Sequence, residues 1–342
     1  MKTSIKVTSS FWENAPTCRF SSIIVSSMLR KLLVLGASGL TGYKLLQLAR
    51  QKFEAYGTYN SRSITQYKNE SLFKLEIKKD EDLRKIFRDI KPDIVVNTIA
   101  LHNVDYCEHH QDEAFYVNSK AVGIIANICN NIGSRLIQIS TDFVFDGQKG
   151  NYSELDVPNP LNAYGKSKLE GEIQAKKCAS YLIIRPSVIY GWTPLETQGL
   201  TSSSGKPMNF ALWALLKMNK GEMLNIVNDQ FTSPTLADVL ATIALKFAIK
   251  ETNGLYHVAG TACINRYDFT KSIADMMGYS TTLIKPINSN SLTQTAKRPM
   301  NSCLNCEKIQ NDLEYSLPGI DESLSIMKSQ IEIESPNLLG SL

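Results

Sequence analysis

The chain has 342 residues, 43% of them apolar and 20% charged, with a formal charge of +4. That length supports one large α/β unit or two unequal lobes, and the composition excludes disordered, collagen-like and fibrous classes. Basic residues are scattered, so no nucleic-acid-binding face is expected, and Arg30 and Lys31 interrupt the apolar stretch from Ser22 to Gly36 before it reaches the ~20 residues of a membrane span.

Residues 1–27 are rich in Ser and Thr, lack an apolar block with a small-residue cleavage site, and precede a second methionine, Met28. They read as a disordered leader or a start set too early. From there short apolar runs alternate with helical patterns. Strands are expected at Lys31–Leu35, Glu54–Tyr59, Leu72–Ile77, Asp93–Thr98, Arg135–Ser140 and Tyr181–Arg185. Helices are expected at Leu40–Lys52, Asp80–Ile90, Phe115–Ile132 and Ala163–Lys177. Continuous apolar strands separated by helices signal a parallel sheet covered on both faces, a doubly wound (Rossmann) α/β fold over 28–186. After Pro186 the rhythm changes. A Thr/Ser/Gly/Pro-rich stretch leads to a helix near Asn209–Asn219 and to less regular elements, read as a smaller substrate-binding lobe over 187–342.

Seven cysteines, an odd number with several in apolar stretches, suit reduced thiols in a cytoplasm better than a disulfide framework. Cys303 and Cys306 are spaced C-x-x-C, but no second pair follows, so no metal site is expected.

The first strand runs into Gly36-Ala37-Ser38-Gly39-Leu40-Thr41-Gly42, which opens a helix. Such glycines allow a tight turn and close approach of a pyrophosphate, while the helix N-terminus offers N–H groups to it. At the end of the second strand an NAD site places a carboxylate, but this chain has Thr58, Tyr59, Asn60, Ser61 and Arg62. Arg62 with Ser61 can bind a 2′-phosphate, favouring NADPH over NADH; the other reading of Arg62 is an exposed loop residue.

A carbonyl reductase needs a proton donor, and a tyrosine serves when a lysine one helical turn on lies on the same face. Three pairs have that spacing: Tyr116 with Lys120, Tyr164 with Lys168, and Tyr267 with Lys271. Only Tyr164 opens the helix after the strand whose end carries Ser140, Thr141 and Asp142, and ligands of open α/β sheets lie at such strand ends.

These residues, with the segments KPDIVVNTIA, QISTDFVFDG, PLNAYGKSKLEGE, NDQFTSPT and AKRPMNSCLNCEK, resemble the extended short-chain dehydrogenase/reductases and, within them, the dTDP-4-dehydrorhamnose reductase family from residue 31 to about 310. The resemblance implies NADPH-dependent reduction of a nucleotide-linked 4-keto-6-deoxy sugar by a catalytic trio of Thr141, Tyr164 and Lys168, with Asn118 aiding a proton relay. It also implies that Thr98, Ile99 and Ala100 line the cofactor crevice, that Glu76 and Ile77 lie near the adenine, and that Asp142 meets the sugar. Arg298 is suited either to a pyrophosphate or to tying the C-terminal segment to the core, and the structural reading is preferred for Asn228, Asp229 and Gln230. Val188 stands where rhamnose-forming members carry a tryptophan, with Trp192 as a nearby ring, and the loop from Trp192 to Pro207 is longer than the family pattern; both leave the sugar open. A similar departure occurs in the regulatory β-subunit of methionine adenosyltransferase, so an NADP-binding partner subunit is the second reading, and a nucleotide-sugar epimerase or dehydratase the third. A homodimer is among the assemblies these readings allow.

Overall fold

The computed structural model describes residues 29–61, 71–194 and 209–340. The leader and Arg62 lie outside them, as does most of the loop before Pro207.

Seven strands form one parallel sheet. Strand β1 (Lys31–Leu35) leads to helix α1 (Leu40–Ala49), β2 (Glu54–Tyr59), β3 (Leu72–Lys74), α2 (Asp80–Ile90) and β4 (Ile94–Asn97). Helices α3 (Val104–His109), α4 (Gln111–Phe115) and α5 (Ala121–Ile132) follow, then β5 (Arg135–Ile139), α6 (Ala163–Ala175) and β6 (Tyr181–Arg185). The later chain supplies β7 (Ile189–Tyr190), α7 (Phe210–Asn219), β8 (Leu224–Val227), β9 (Phe231–Thr232), β10 (Thr235–Leu236), α8 (Ala237–Lys250), β11 (Gly254–His257), β12 (Ile264–Asn265), α9 (Arg266–Met277), β13 (Ile284–Ile287), α10 (Glu307–Leu313) and α11 (Ile320–Glu334). The order β11-β6-β5-β4-β1-β2-β3 reverses direction between β1 and β4, which opens a crevice at their carboxyl ends.

Strand alternation sorts the core into two layers. Leu32, Val34, Ile94 and Val96 join the layer containing Leu45 and Leu46 of α1 and Leu240 and Ala244 of α8. Leu33, Leu35 and Val95 join Ile86 of α2 and Ile125 of α5 on the other face. Lys44 of α1 also meets Asp238 of α8 at 3.0 Å. The ends of the helices follow local rules. Asp80, Glu81 and Asp82 fill the positive first turn of α2, and Gly133 ends α5 in the left-handed conformation.

The structure departs from the sequence reading in several places. β3 stops at Lys74, and the single helix expected from Phe115 becomes α4, a π turn over Tyr116–Lys120 and α5. The π turn places Asn118 against the loop after β4, a contact that overrides simple helical periodicity. The later segment also returns a strand, β11, to the edge of the main sheet beside β6.

The preference for reduced thiols is corrected at one pair: Cys263 and Cys303 form a disulfide, 40 residues apart in sequence with Cα atoms 5.4 Å apart. Cysteine count and local apolarity carry no information about two loops brought together by the tertiary fold. Cys107, Cys129, Cys178 and Cys306 are buried thiols. Among the described residues no helix is long and apolar enough to cross a membrane.

At the β6–β11 edge, Arg185 donates to Glu172 through Nε at 2.8 Å and Nη2 at 2.7 Å, both side chains being buried. His257 packs beside them, its Nδ1 3.0 Å from the Tyr152 carbonyl and its Nε2 3.5 Å from Arg185 Nη1. Burial and the Arg185 charge push His257 down to about 3, so it is neutral in the fold. Below pH 6.5 the unfolded chain therefore binds a proton that the folded one refuses until about pH 3. This group removes ~1.4 kcal/mol of stability per pH unit across that window. Urea midpoints should accordingly fall between pH 7 and pH 4.5, with a flatter decline in His257→Gln; parallel slopes would assign the acid sensitivity elsewhere.

Candidate functional site

The turn after β1 is shaped to admit an anion. Gly36 adopts φ +82°, Gly36 N donates to Thr58 Oγ1 at 3.0 Å, and Ala37 N donates to Thr58 O at 2.8 Å. A Cβ on Gly42 would fall 2.2 Å from the Gly36 carbonyl, so only glycine lets α1 start this close to β1. Gly39, at the N-terminus of α1, has no side-chain capping bond. Its helix therefore presents N–H groups and the positive end of the dipole to the crevice. The donor set and close backbone approach fit a dinucleotide pyrophosphate.

Across the crevice, β5 ends in Ser140, Thr141 and Asp142, and α6 starts at Ala163 behind an Asn162 cap that accepts Gly165 N at 2.8 Å. Tyr164, Lys168 and Glu172 follow at intervals of four and share one face of α6. The Thr141 hydroxyl lies beside that of Tyr164 and partly opposes the rise in its pKa, and the Tyr164 ring meets Phe143 edge-on at 5.8 Å. Burial, with a smaller contribution from the Asp142 charge, pushes the Tyr164 hydroxyl well above the ordinary phenol range, so it holds its proton. Lys168 donates to Ile139 O at 2.7 Å, and desolvation lowers it to about 8 against the opposing charge of Glu172. The cation expected to depress the tyrosine is thus turned toward the β5 backbone, and burial dominates the Tyr164 environment.

Asp142 is buried beneath them. Its Oδ2 accepts Ser187 Oγ at 2.7 Å and Ser302 Oγ at 2.6 Å, while Oδ1 accepts Thr141 Oγ1 at 3.1 Å. Desolvation raises its pKa, opposed by these hydroxyls and by the Arg266 charge. The carboxylate thus orients three hydroxyls from separate parts of the chain.

A cavity of about 580 Å³ joins these groups, within the usual range for a ligand site. Gly39, Leu40, Thr41, Gly42, Thr98 and Ala100 line its cofactor side, and Thr141, Asp142, Tyr164, Lys168, Val188 and Arg298 line the rest. Other expected residues stand behind this wall or outside it. Gly36 and Ser38 form the turn, with Ile99 packed on Gly36. Asn60 and Ser61 are exposed at the end of β2. Glu76 pairs with Lys79 at 2.6 Å, and Ile77 joins a small apolar cluster.

Asn118 is buried behind the wall. It accepts Leu101 N at 2.8 Å and donates to Leu101 O and Ser167 Oγ at 3.0 Å each, bracing the β4 loop against α6. Arg298 makes a bidentate pair with Asp105 at 2.5 and 2.6 Å, the structural tie that one of its two readings expects, while still facing the cavity. Tyr116 and Tyr267 lie away from the cavity.

Several lining residues carried no sequence signal. Arg266 stacks over Phe210 at 5.0 Å, and Asn209, Trp213, Asn225 and Gln230 complete this wall. Gln230 thus faces the cavity, unlike Asp229, which holds the Ser289 N–H and hydroxyl. Trp192 does not supply the missing ring: it is 1% exposed and donates to Glu334.

A turn that fits a pyrophosphate, facing a Thr/Tyr/Lys constellation, defines a dinucleotide-binding α/β protein of the carbonyl-reducing kind. Residues 30–332 match the model of the RmlD substrate binding domain, and the chain belongs to that family. It is 31% identical to the "Probable low-salt glycan biosynthesis reductase Agl14" of Haloferax volcanii, over 86% of this chain and 96% of that one. It is 30% identical to the bovine (Bos taurus) methionine adenosyltransferase 2 subunit beta, over 90% of this chain and 91% of that one. The crystal structure of dTDP-4-dehydrorhamnose reductase from Bacillus anthracis in complex with NADP superposes with a TM-score of 0.77 at 25% identity, over 89% of this chain and 100% of that one.

Val188 lines the cavity with φ +37°, a left-handed conformation that crowds a β-branched side chain. Relief of ~1–3 kcal/mol of strain should offset glycine's entropic penalty, so Val188→Gly is expected to melt at or above the wild-type temperature. The neighbouring Ile189→Gly, at an ordinary φ, should melt lower. A marked loss of stability in Val188→Gly would show that the conformation is unstrained.

Proposed function

We propose that this protein is an NADPH-dependent reductase of a nucleotide-linked 4-keto-6-deoxy sugar, the reaction for which dTDP-4-dehydrorhamnose reductase is named. The observation that carries it is the convergence of Thr141, Tyr164 and Lys168 on one cavity whose opposite side is the open N-terminus of α1. NADPH, when bound, supplies the hydride. The N-terminus of α1 and the turn from Gly36 to Gly42 would hold its pyrophosphate. Asn60, Ser61 and Arg62 would meet the 2′-phosphate, Glu76 and Ile77 the adenine side, and Thr98, Ile99 and Ala100 the crevice wall.

Tyr164 donates its hydroxyl proton to the sugar carbonyl oxygen, a role suited to a phenol that stays protonated. Thr141 orients the same oxygen, and Lys168, which donates to Ile139 O, would hold the nicotinamide ribose. Asn118 acts from behind as a positioning residue. On the sugar side Asp142, Val188 and Arg298 shape the pocket. In this reading the dinucleotide unit spans 28–186 and takes back α8 and β11 from the later chain, the rest of 187–342 forms the substrate lobe, and the reaction belongs in the cytoplasm.

The bovine relative is named as a subunit, which supports a second reading, a partner subunit that keeps the NADP-binding fold without turnover. NADPH oxidation at 340 nm with dTDP-4-dehydro-6-deoxy-L-mannose separates the two, because the subunit reading predicts NADPH binding without turnover. Tyr164→Phe should lower kcat by ~10²-fold or more while NADPH affinity survives, and unchanged turnover would remove Tyr164 from the reaction. Lys168 is protonated below about 8, so kcat/KM for NADPH should fall as pH rises through that value. A profile flat to pH 9.5 would exclude its charge from cofactor capture. Arg62→Ala should weaken NADPH far more than NADH, and equal losses would refute the 2′-phosphate contact.

A further inference from the structure

Two segments close the sugar side of the cavity. One is the turn from β11 to β12, which runs through Cys263 into Arg266. The other is the strap from Ala296 to Cys306. Phe231 N donates to Met300 O at 2.7 Å and Ser302 N to Phe231 O at 3.0 Å, fastening the strap to β9. On its other side Asn301 N donates to Gly147 O at 3.1 Å, and Tyr152 N to Cys303 O at 2.9 Å. Each segment delivers one group to Asp142: the strap brings Ser302, whose fully buried hydroxyl donates to the carboxylate, and the turn brings the Arg266 charge. The disulfide joins these two segments at Cys303, adjacent to Ser302, and at Cys263, three residues before Arg266.

We propose that Cys263 and Cys303 form a reversible thiol–disulfide site that clamps the substrate cavity and takes low-molecular-weight thiols and disulfides of the glutathione class as its reaction partners. Closed, the bond holds turn and strap together, keeping the Ser302 hydroxyl on Asp142 and the Arg266 charge near it; open, the sugar wall loosens. Cys263 is exposed while Cys303 is buried, so the Cys263 sulfur is the one a small thiolate reaches. Its attack forms a mixed disulfide at Cys263 and breaks the bond to Cys303, whose sulfur leaves with the electron pair and takes a proton. A second thiol then attacks the mixed disulfide, restoring the Cys263 thiol and releasing the small disulfide. Two small thiols are oxidised as one protein disulfide is reduced, and oxidised glutathione drives the reverse. The four buried thiols, Cys107, Cys129, Cys178 and Cys306, are shielded from the same reagents.

The kinetic consequence rests on the reductase reading, but the clamp does not. Full-length protein is equilibrated with oxidised glutathione or with dithiothreitol, alkylated and digested. The oxidised sample should yield a linked Cys263–Cys303 peptide, and the reduced sample two alkylated cysteines in its place. Reduction should raise KM for dTDP-4-dehydro-6-deoxy-L-mannose about fivefold or more, with a smaller share of the change in kcat and little change in KM for NADPH. It should also lower the melting midpoint. Cys263→Ser and Cys303→Ser should each keep the reduced-state KM under both conditions. Absence of the linked peptide after oxidised glutathione, or equal KM and melting midpoints for the two forms, overturns the proposal. If neither form oxidises NADPH, the reductase reading falls and thymidine diphosphate becomes the probe. A larger melting shift with it in the oxidised protein supports the clamp, and equal shifts overturn it.

Discussion

The pairing of Glu172 with Arg185 sets the geometry of everything at the cavity floor. Glu172 sits two turns after Tyr164 and one after Lys168 on α6, and its carboxylate is held by the guanidinium of β6 and by Ser140 Oγ at 2.5 Å at the end of β5. Burying two charges costs free energy, which the bidentate geometry and the Ser140 hydroxyl offset. An apolar pair of equal volume could match it in stability. It could not fix the rotation of α6 about its axis, because apolar packing tolerates small rotations that a forked hydrogen bond does not. With that rotation set, Tyr164 and Lys168 face the end of β5. Ser140 is likewise held from both sides, since Ser140 N donates to Ile184 O at 2.7 Å.

The floor made by this joint is completed by a roof gathered from distant segments, and Asp142 is where the two meet. Thr141 belongs to the floor, Ser187 to the bend after β6, and Ser302 to the strap, yet all three hydroxyls donate to one buried carboxylate. A buried carboxylate deprived of these donors is strongly disfavoured, so docking of the strap and burial of Asp142 depend on each other. The same coupling carries a change in the strap to Thr141, which shares the carboxylate with Ser302.

How much of this was legible in the sequence follows from the range of each interaction. β1, β4 and β6 were legible because both faces of each strand are buried, which gives the apolar runs Leu32–Leu35, Ile94–Val96 and Leu182–Ile184, and β5 was legible despite the buried Gln138 within it. The phosphate turn was legible because its glycines answer local steric demands. Tyr164 could be chosen over Tyr116 and Tyr267 because the sheet topology assigns a place to the helix after β5. β11 was missed since four residues bounded by glycine and histidine carry no strand periodicity; pairing with β6 makes it a strand. Arg266, Phe210 and Trp213 belong to no short motif and meet the cavity only through the packing of α7 and α9. The disulfide joins positions related by no local spacing, and Trp192, adjacent in sequence to the pocket residues, is turned by the core toward α11.

Floor and roof therefore answer to different constraints. Proton transfer to a carbonyl, the role proposed for the floor, requires groups placed to within a fraction of an ångström, and the floor is built for such precision from adjacent strand ends, a forked ion pair and a helix fixed in rotation. Recognition of a particular sugar requires only a complementary wall, which loops and helix starts can remodel without disturbing the sheet. One departure from the family pattern lies on this wall: Val188 at the expected tryptophan position, in a left-handed conformation, with Trp213 and Phe210 presenting rings from helix α7. A ring supplied from α7 approaches the cavity from a different element than one on the strand after β6. This wall can thus be remodelled while Thr141, Tyr164 and Lys168 keep their places at the end of β5 and on α6.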